Sequence, residues 1–474
     1  DRKGRDFLPF AMSFTTGGGK AAENYPIAFE KVEMPGDGKI CTSLAIGPDH
    51  RLYVGTMQGA ILRYDINADG TLGTKQVIDT VIQHNHGPRL ITGICFDPVA
   101  SKEKPILWIS HGQLVLNPNG RPSFEGATDW TGKISRVSGN DLHEYRDVIV
   151  NLPRSWRDHL NNQIVFGPDR ALYWSQSSHT AMGAPDTKWG HRTERLLSAA
   201  ILRADVRAID ETVDVKTEEG GKYDPFATGA PVRLFATGVR VSFDLLWHSN
   251  GYLYAGTNGS AAGANVPGSP EGKFPRRIDQ DRLGPYDGTR APALMQVPTT
   301  MDDYLIKVED GGYYGHPNPT RGEYVLYGGN PTAGADPLEV SAYAQGVKPD
   351  RNFRLPVYDF GQHISPNGMI EYRSGAFGGA LKGKILVTRF SGGKDILVLT
   401  PGPAGEITET ISGIAGLSQF QDPLDLVEDP STGAVYVAEF QGAKLALLRP
   451  VTDAAAAGKL STNVFIQKVQ PLGK

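Results

Sequence analysis

Alternation of apolar and polar residues, interrupted by tight turns, organises this chain from end to end. LAIGPDHRLYVGTMQGAILRYDI (44–66) reads as a strand, a Gly-Pro-Asp turn, a second strand, a small-residue turn and a third strand. A looser version follows at ITGICFDPVASKEKPILWISHG (91–112), completed by GKISRVS (132–138). The pattern recurs at IVFGPDRALYWSQS (164–177) with AAILRADV (199–206), and at LLWHSNGYLYAGTNG (245–259) with DYLIKVEDGG (303–312). Two further copies span 368–400 and 424–450. Self-similarity on this scale marks a repeat architecture.

Six units of three to four strands predict an all-β fold, a six-bladed β-propeller, because radial repetition hides the strand edges; seven blades is the alternative count. The strand YPIAFEKVEM (25–34) is expected to complete the last blade and close the ring. Residues 1–24, with TTGGGK and little periodicity, are expected to form an N-terminal arm, and 25–474 a single propeller domain. Gly/Pro/Ala-rich insertions at about 260–300 and 316–362 are long for idle connections and are candidates for a lid or rim over a site.

Composition narrows the function classes. Of 474 residues, 39% are hydrophobic, and 57 Gly with 33 Pro suit a turn-rich globular chain. With 48 basic and 52 acidic residues the net charge is −4, which provides no positive field for nucleic acid. No apolar run reaches the roughly 18–20 residues of a membrane span. The start, DRKGRDFLPF, lacks the apolar core of a signal peptide, so a processed or trimmed chain is expected. Cys41 and Cys95 lie in apolar strand-like runs and are expected to be buried thiols rather than a disulfide.

A propeller keeps its ligand site on the axis, so the informative polar residues are those at strand ends. RDHLNNQIVFGPDRALYW (157–174) places Asp158-His159 just before the first strand of blade three, and TGVRVSFDLLW places Arg240 at the corresponding point of blade four. A neutral imidazole takes a hydroxyl proton and a guanidinium stabilises negative charge on an acceptor, a pair suited to alcohol oxidation by hydride transfer. The plainer alternative has His159 bonding a loop carbonyl and Arg240 in an ion pair at the rim. Asn258-Gly259-Ser260 ends a strand in a turn whose carbonyls, with the Asp303 carboxylate, suit a hard cation such as calcium, although such turns usually just turn the chain. Arg89 and Arg389, also at strand ends, would accept a polycarboxylate unless they are surface ion pairs. Trp130, Trp174, Trp189 and Tyr313 would stack on a sugar ring unless they pack the blades.

Together these residues resemble the soluble quinoprotein glucose and sorbosone dehydrogenases, with a closer likeness to the larger pyranose dehydrogenases that use pyrroloquinoline quinone (PQQ). The resemblance runs from about residue 40 to 450 and rests on RLITGICFDP, DWTGKISRVSG, LPRSWRDHLNNQIVFGPDRALYWSQ, ERLLSAAILR, TGVRVSFDLLWHSNGYLYAGTNGSAAG, DDYLIKVEDGGYYGHP, SPNGMIEY and FGGALKGKILV. It implies PQQ and Ca2+ as cofactors, with His159 as the general base that takes the sugar C1 hydroxyl proton while hydride passes to C5 of PQQ. It implies Arg240 against the quinone oxygens and the carbonyls of Gly259 and Ser260 on calcium. Asn258 and Asn367 (in SPNGMIEY) are counted with the cofactor contacts.

The chain also departs from that pattern. Val241 follows the arginine where the smaller bacterial enzymes have Asn, and Ser178 falls where they have an Asp behind the histidine. Gln419 and Gln421 fall near their paired arginines for the PQQ carboxylates, and Ser391 near their lysine, so Arg389 or Lys394 is expected to substitute. The reading that follows is a periplasmic or secreted sugar dehydrogenase passing electrons to a cytochrome or small acceptor. The competing reading is a non-redox propeller, either carbohydrate-binding or a calcium-dependent lactonase.

Overall fold

A computed structural model of the protein describes residues 20–34, 38–285 and 290–470. Six sheets of four or more strands, antiparallel except for the short outer strand Val213–Asp214 of one, are arranged as a six-bladed β-propeller, the predicted fold. The first blade is Cys41–Ile46, Leu52–Thr56, Ile61–Ile66 and Leu72–Ile78. The last is Pro423–Asp429, Ala434–Glu439 and Lys444–Pro450, and its fourth strand comes from the other end of the chain. Phe29–Met34 pairs antiparallel with Lys444–Pro450 and so closes the ring, as expected. Of the expected N-terminal arm, 1–19 lies outside the described residues; Lys20–Ala22 pairs with Val464–Lys468 at the outer edge of blade five.

The recurrent Gly-Pro-Asp turn has a physical cause. In blade one the Asp49 carboxylate accepts the Arg51 N–H and the hydroxyl of Tyr53, four residues on. In blade three Asp169 does the same with Ala171 and Tyr173. A Cβ at Gly47 would stand 2.5 Å from both Asp49 and the Tyr53 ring, and one at Gly167 would stand 2.6 Å from the Tyr173 ring. Glycine is required because the aspartate and tyrosine close over it.

The innermost strands meet on the axis at one equivalent position per blade: Ser43, Gly93, Gln163, Asp244, Gly368 and Asp425. There is no room for six side chains. A Cβ on Gly93 would lie 2.5 Å from Gln163 Oε1, and one on Gly368 would lie 2.7 Å from the Asp425 Cα. The four side chains present bond across blade boundaries. Asp425 accepts Leu44 N–H at 2.7 Å, Gln163 accepts Ile94 N–H at 2.9 Å and the Ser43 hydroxyl at 3.1 Å, and Asp244 accepts Met369 N–H at 2.8 Å. This polar ring plugs the channel.

The insertions do different things. The first forms a hairpin, Ala264–Val266 with Leu294–Val297, beside the axis. The second packs down the side of blade three, where buried Arg321, paired with Glu323, donates to the carbonyls of Leu196, Ser198 and Ala199. Arg277 bonds Asp350 and Asp279 and ties the two insertions together. Cys41 and Cys95 are free thiols on different blades. No helix among the described residues is long and apolar enough to cross a membrane.

Two carboxyl groups in the axial ring share one buried environment. Burial raises Asp244 well above its ordinary value, reinforced by the charge of Asp425, and burial pushes Asp425 up to about 7. Folding therefore holds protons that the unfolded chain has already released above about pH 4. The sign follows: stability falls as pH rises from about 4 to 7, by about 1.4 kcal/mol per pH unit for each retained proton. Asp244→Asn and Asp425→Asn should each flatten that slope in thermal melts between pH 4 and 8. A slope unchanged in both variants would contradict proton retention.

Candidate functional site

A cavity of about 910 Å³ opens at one end of the axis. Its floor comes from the residues just before the polar ring, Thr42, Thr92, Asn162, Phe243, Asn367 and Leu424, one from each blade. The ring therefore seals the cavity from the far end of the propeller. About four-fifths of the chain separates the first of these residues from the last, and only the closed ring makes them neighbours.

His159 lies on the cavity wall and is 6% exposed. Its loop is tight: Ser155 Oγ accepts the backbone N–H groups of Arg157 and His159, and Ser155 N–H returns to the His159 carbonyl. The ring Nδ1 lies 3.0 Å from the Ser178 carbonyl and 3.1 Å from Ser178 Oγ. A carbonyl can only accept, so Nδ1 carries the proton and Nε2 keeps its lone pair. Burial, followed by the charge of Arg240, holds the imidazole well below its ordinary pKa, so it is neutral at pH 7. Asp158, its neighbour in sequence, is exposed and makes no bond to it.

Arg240 faces the same cavity. Its Nε donates to the Ala181 carbonyl at 3.2 Å, and its Nη1 donates to the carbonyls of Gly259 at 3.1 Å and Asn258 at 3.3 Å. Among the described residues no carboxylate bonds it directly, which differs from the rim ion pair considered above. Its own carbonyl accepts Ser178 N–H at 2.7 Å, so one short turn links the imidazole to the arginine. Trp189 packs against both, 4.4 Å from the His159 ring and 5.5 Å from the Arg240 guanidinium. Asp186 fixes this tryptophan by accepting its backbone N–H at the start of a short 3-10 turn, Thr187–Trp189.

Calcium takes hard oxygen donors. Asn258, Gly259, Ser260 and Asp303 all line the cavity, and Asn258 Oδ1 is buried without a hydrogen-bond partner. Asp303 is otherwise engaged: its two oxygens accept the N–H groups of Gly259, Ile364 and Ser365, each at 2.7 Å. It shapes the carbonyl turn, whose Asn258 and Gly259 carbonyls accept from Arg240 and whose Ser260 carbonyl accepts Met301 N–H, which leaves the Asn258 Oδ1 as the open oxygen of this wall.

The cations are distributed differently from the sequence expectation. Arg89 is outside the cavity lining and donates to His111 Nδ1 and the Thr131 carbonyl. Arg389 is also outside, in a bidentate pair with Asp395, its partner across the strand pair. Lys394 pairs with Asp422, and it is Asp422 that lines the cavity. Arg157, Lys188 and Arg240 do line it; Arg157 pairs with Glu125 at 3.6 Å, and its buried Nε has no hydrogen-bond partner among the described residues. A planar tricarboxylate such as PQQ would meet three cations here, beside Asp158 and Asp186; of these the resemblance implies Arg240, but not Arg157 or Lys188. Of the three positions at which the sequence departs from the resembled cofactor contacts, Ser391 lines the cavity and Gln419 and Gln421 do not; Phe390, Phe440 and Gln441 complete that wall.

Among the candidate aromatics only Trp189 lines the cavity. Trp174 is fully buried, the Tyr313 hydroxyl bonds the Val325 carbonyl, and Trp130 bonds Glu219. Arg157 and Lys188 were not singled out in the sequence, although Arg157 stands two residues before His159.

No family model matches the chain, and no curated protein sequence matches it. Solved structures do. A putative oxidoreductase (glucose dehydrogenase) from Thermus thermophilus is 18% identical with a TM-score of 0.51, over 89% of this chain and 99% of that one. The holo PQQ domain of pyranose dehydrogenase from Coprinopsis cinerea is 12% identical with a TM-score of 0.53, over 93% and 99%. A Trichoderma reesei member of carbohydrate-active enzyme family AA12 is 14% identical with a TM-score of 0.50, over 93% and 99%. Along nearly its whole length, the chain shares the fold of a glucose dehydrogenase and of the PQQ domain of a pyranose dehydrogenase, the same group that its sequence motifs resemble.

Proposed function

We propose that the axial cavity oxidises the C1 hydroxyl of a pyranose or related aldose to the lactone, with PQQ and calcium as cofactors. The observation that carries this reading is the neutral His159, its tautomer set by the Ser178 carbonyl and its Nε2 lone pair free on the cavity wall. PQQ, when bound, supplies the two-electron acceptor for the hydride leaving C1. His159 Nε2 takes the hydroxyl proton as the carbonyl bond forms, and the charge becomes an imidazolium held by Ser178. Arg240 holds a cation where negative charge develops on the acceptor, and the sealed floor keeps bulk water out of that interaction. Arg157 and Lys188 would bind the cofactor carboxylates, and Asn258 with the Gly259 and Ser260 carbonyls would hold calcium. Trp189, against which His159, Arg240 and Arg157 pack, holds the base and the cations in place on the cavity wall. Electrons then leave to a cytochrome or small acceptor, in a periplasmic or secreted setting.

Adding PQQ and calcium to the purified protein should produce a bound-quinone absorbance that an aldose bleaches, and chelation of calcium should weaken PQQ binding by roughly tenfold or more. No spectral change at saturating PQQ would sink the reading.

His159→Ala should keep PQQ binding while kcat falls by roughly 10²-fold or more. Because burial and Arg240 depress the imidazole's pKa, the base stays neutral on mild acidification. The acid limb of kcat/KM in the native protein is therefore expected well below the ordinary histidine value of 6.5. An acid limb above pH 7 would assign the proton to another group.

A further inference from the structure

A base that gains a proton in a dry site needs negative charge nearby, because an uncompensated buried cation is costly. At His159 the immediate partner is the uncharged Ser178, standing where the resemblance implies an aspartate. One layer behind it lies Glu194, a buried carboxylate with a dense set of donors. Its oxygens accept the backbone N–H groups of His179 and Thr180, both at 3.0 Å, the Thr180 hydroxyl at 2.6 Å, His316 Nε2 at 3.0 Å and the Ser198 hydroxyl.

These bonds reach both members of the pair on the cavity wall. His179 and Thr180 directly follow Ser178, and the Ser178 hydroxyl donates to the Thr180 carbonyl at 2.8 Å, so Glu194 fixes the turn that presents the Ser178 carbonyl to His159. His316 donates its backbone N–H to the Gly238 carbonyl at 2.9 Å, two residues before Arg240. Arg321, from the second insertion, clamps the carbonyls of Leu196, Ser198 and Ala199 just beyond Glu194. The carboxylate stays ionised: burial alone would raise its pKa, but the hydrogen bonds it accepts from His316 and Ser198 hold it well below the usual carboxylate range.

We infer that Glu194 is the positioning residue of this site: it fixes the Ser178 turn and supplies the counter-charge for His159 that Ser178 lacks. The inference rests on the dehydrogenase reading of His159 as base. A carboxylate one layer from an imidazole sets its tautomer and stabilises its protonated form without touching substrate.

The test uses Glu194→Gln, which keeps the shape and removes the charge. In native protein with 15N-labelled histidine at pH 7, His159 should give the signals of a single Nδ1–H tautomer. The Gln variant should give a tautomer mixture. With PQQ, calcium and an aldose, kcat should fall by roughly 10- to 100-fold with KM nearly unchanged. Adding Ser178→Asp to the Gln variant brings a carboxylate to Nδ1 and should restore both the tautomer and at least tenfold of kcat. An unchanged tautomer and kcat in the Gln variant would overturn the inference. So would a double variant whose kcat stays low, or loss of folding that Ser178→Asp does not repair, since Glu194 would then be an anchor alone. Native protein without any turnover would overturn the dehydrogenase reading instead, and the tautomer measurement would still decide the role of Glu194.

Discussion

Six sheets around one axis force six strands into a space too narrow for six side chains. The chain meets this constraint with glycine at positions 93 and 368 and with polar side chains that bond the backbone of the neighbouring blade. Because the plug sits one residue beyond the floor residues in every blade, a deep, sealed cavity forms directly above it. The same crowding makes the site. Residues 42 and 424 reach one floor only because Phe29–Met34 closes the ring against Lys444–Pro450.

Within that cavity, chemistry depends on taking polar groups out of water without leaving them unpaired. The His159 imidazole is neutral, tautomerically fixed and open at Nε2, while Arg240 is kept by carbonyls rather than neutralised by a carboxylate. A guanidinium held this way retains its charge for a ligand. Two of the carboxylates nearby are occupied elsewhere: Asp303 in three backbone bonds and Asp422 with Lys394. Glu194, deeper in, ties the loops of base and arginine into one rigid unit.

Much of the fold was legible because its devices are local. Gly47-Pro48-Asp49 with Tyr53, and Gly167-Pro168-Asp169 with Tyr173, are closed within seven residues and so repeat visibly in the sequence. His159 and Arg240 were legible because both stand just ahead of an inner strand, where the topology delivers side chains to the axis. Arg89 and Arg389 were harder, since their partners decide their direction. Arg389 faces Asp395 across the strand pair and is drawn to it, a pairing that RFSGGKD carries but that strand position alone does not reveal. Glu194 could not be read at all from spacing, because its donors come from residues 179–198 and from His316, 122 positions away, on a segment that only tertiary packing brings back.

The central claim is that His159 Nε2 faces the reacting hydroxyl across a cavity built by all six blades. A crystal of the protein soaked with PQQ, calcium and an aldose tests it in one measurement. The account predicts the sugar C1 hydroxyl at about 3 Å from Nε2, with Arg240 on the opposite side of the ligand. Sugar bound outside the axial cavity, or an Nε2 bonded to protein while the sugar sits elsewhere within it, would contradict the account.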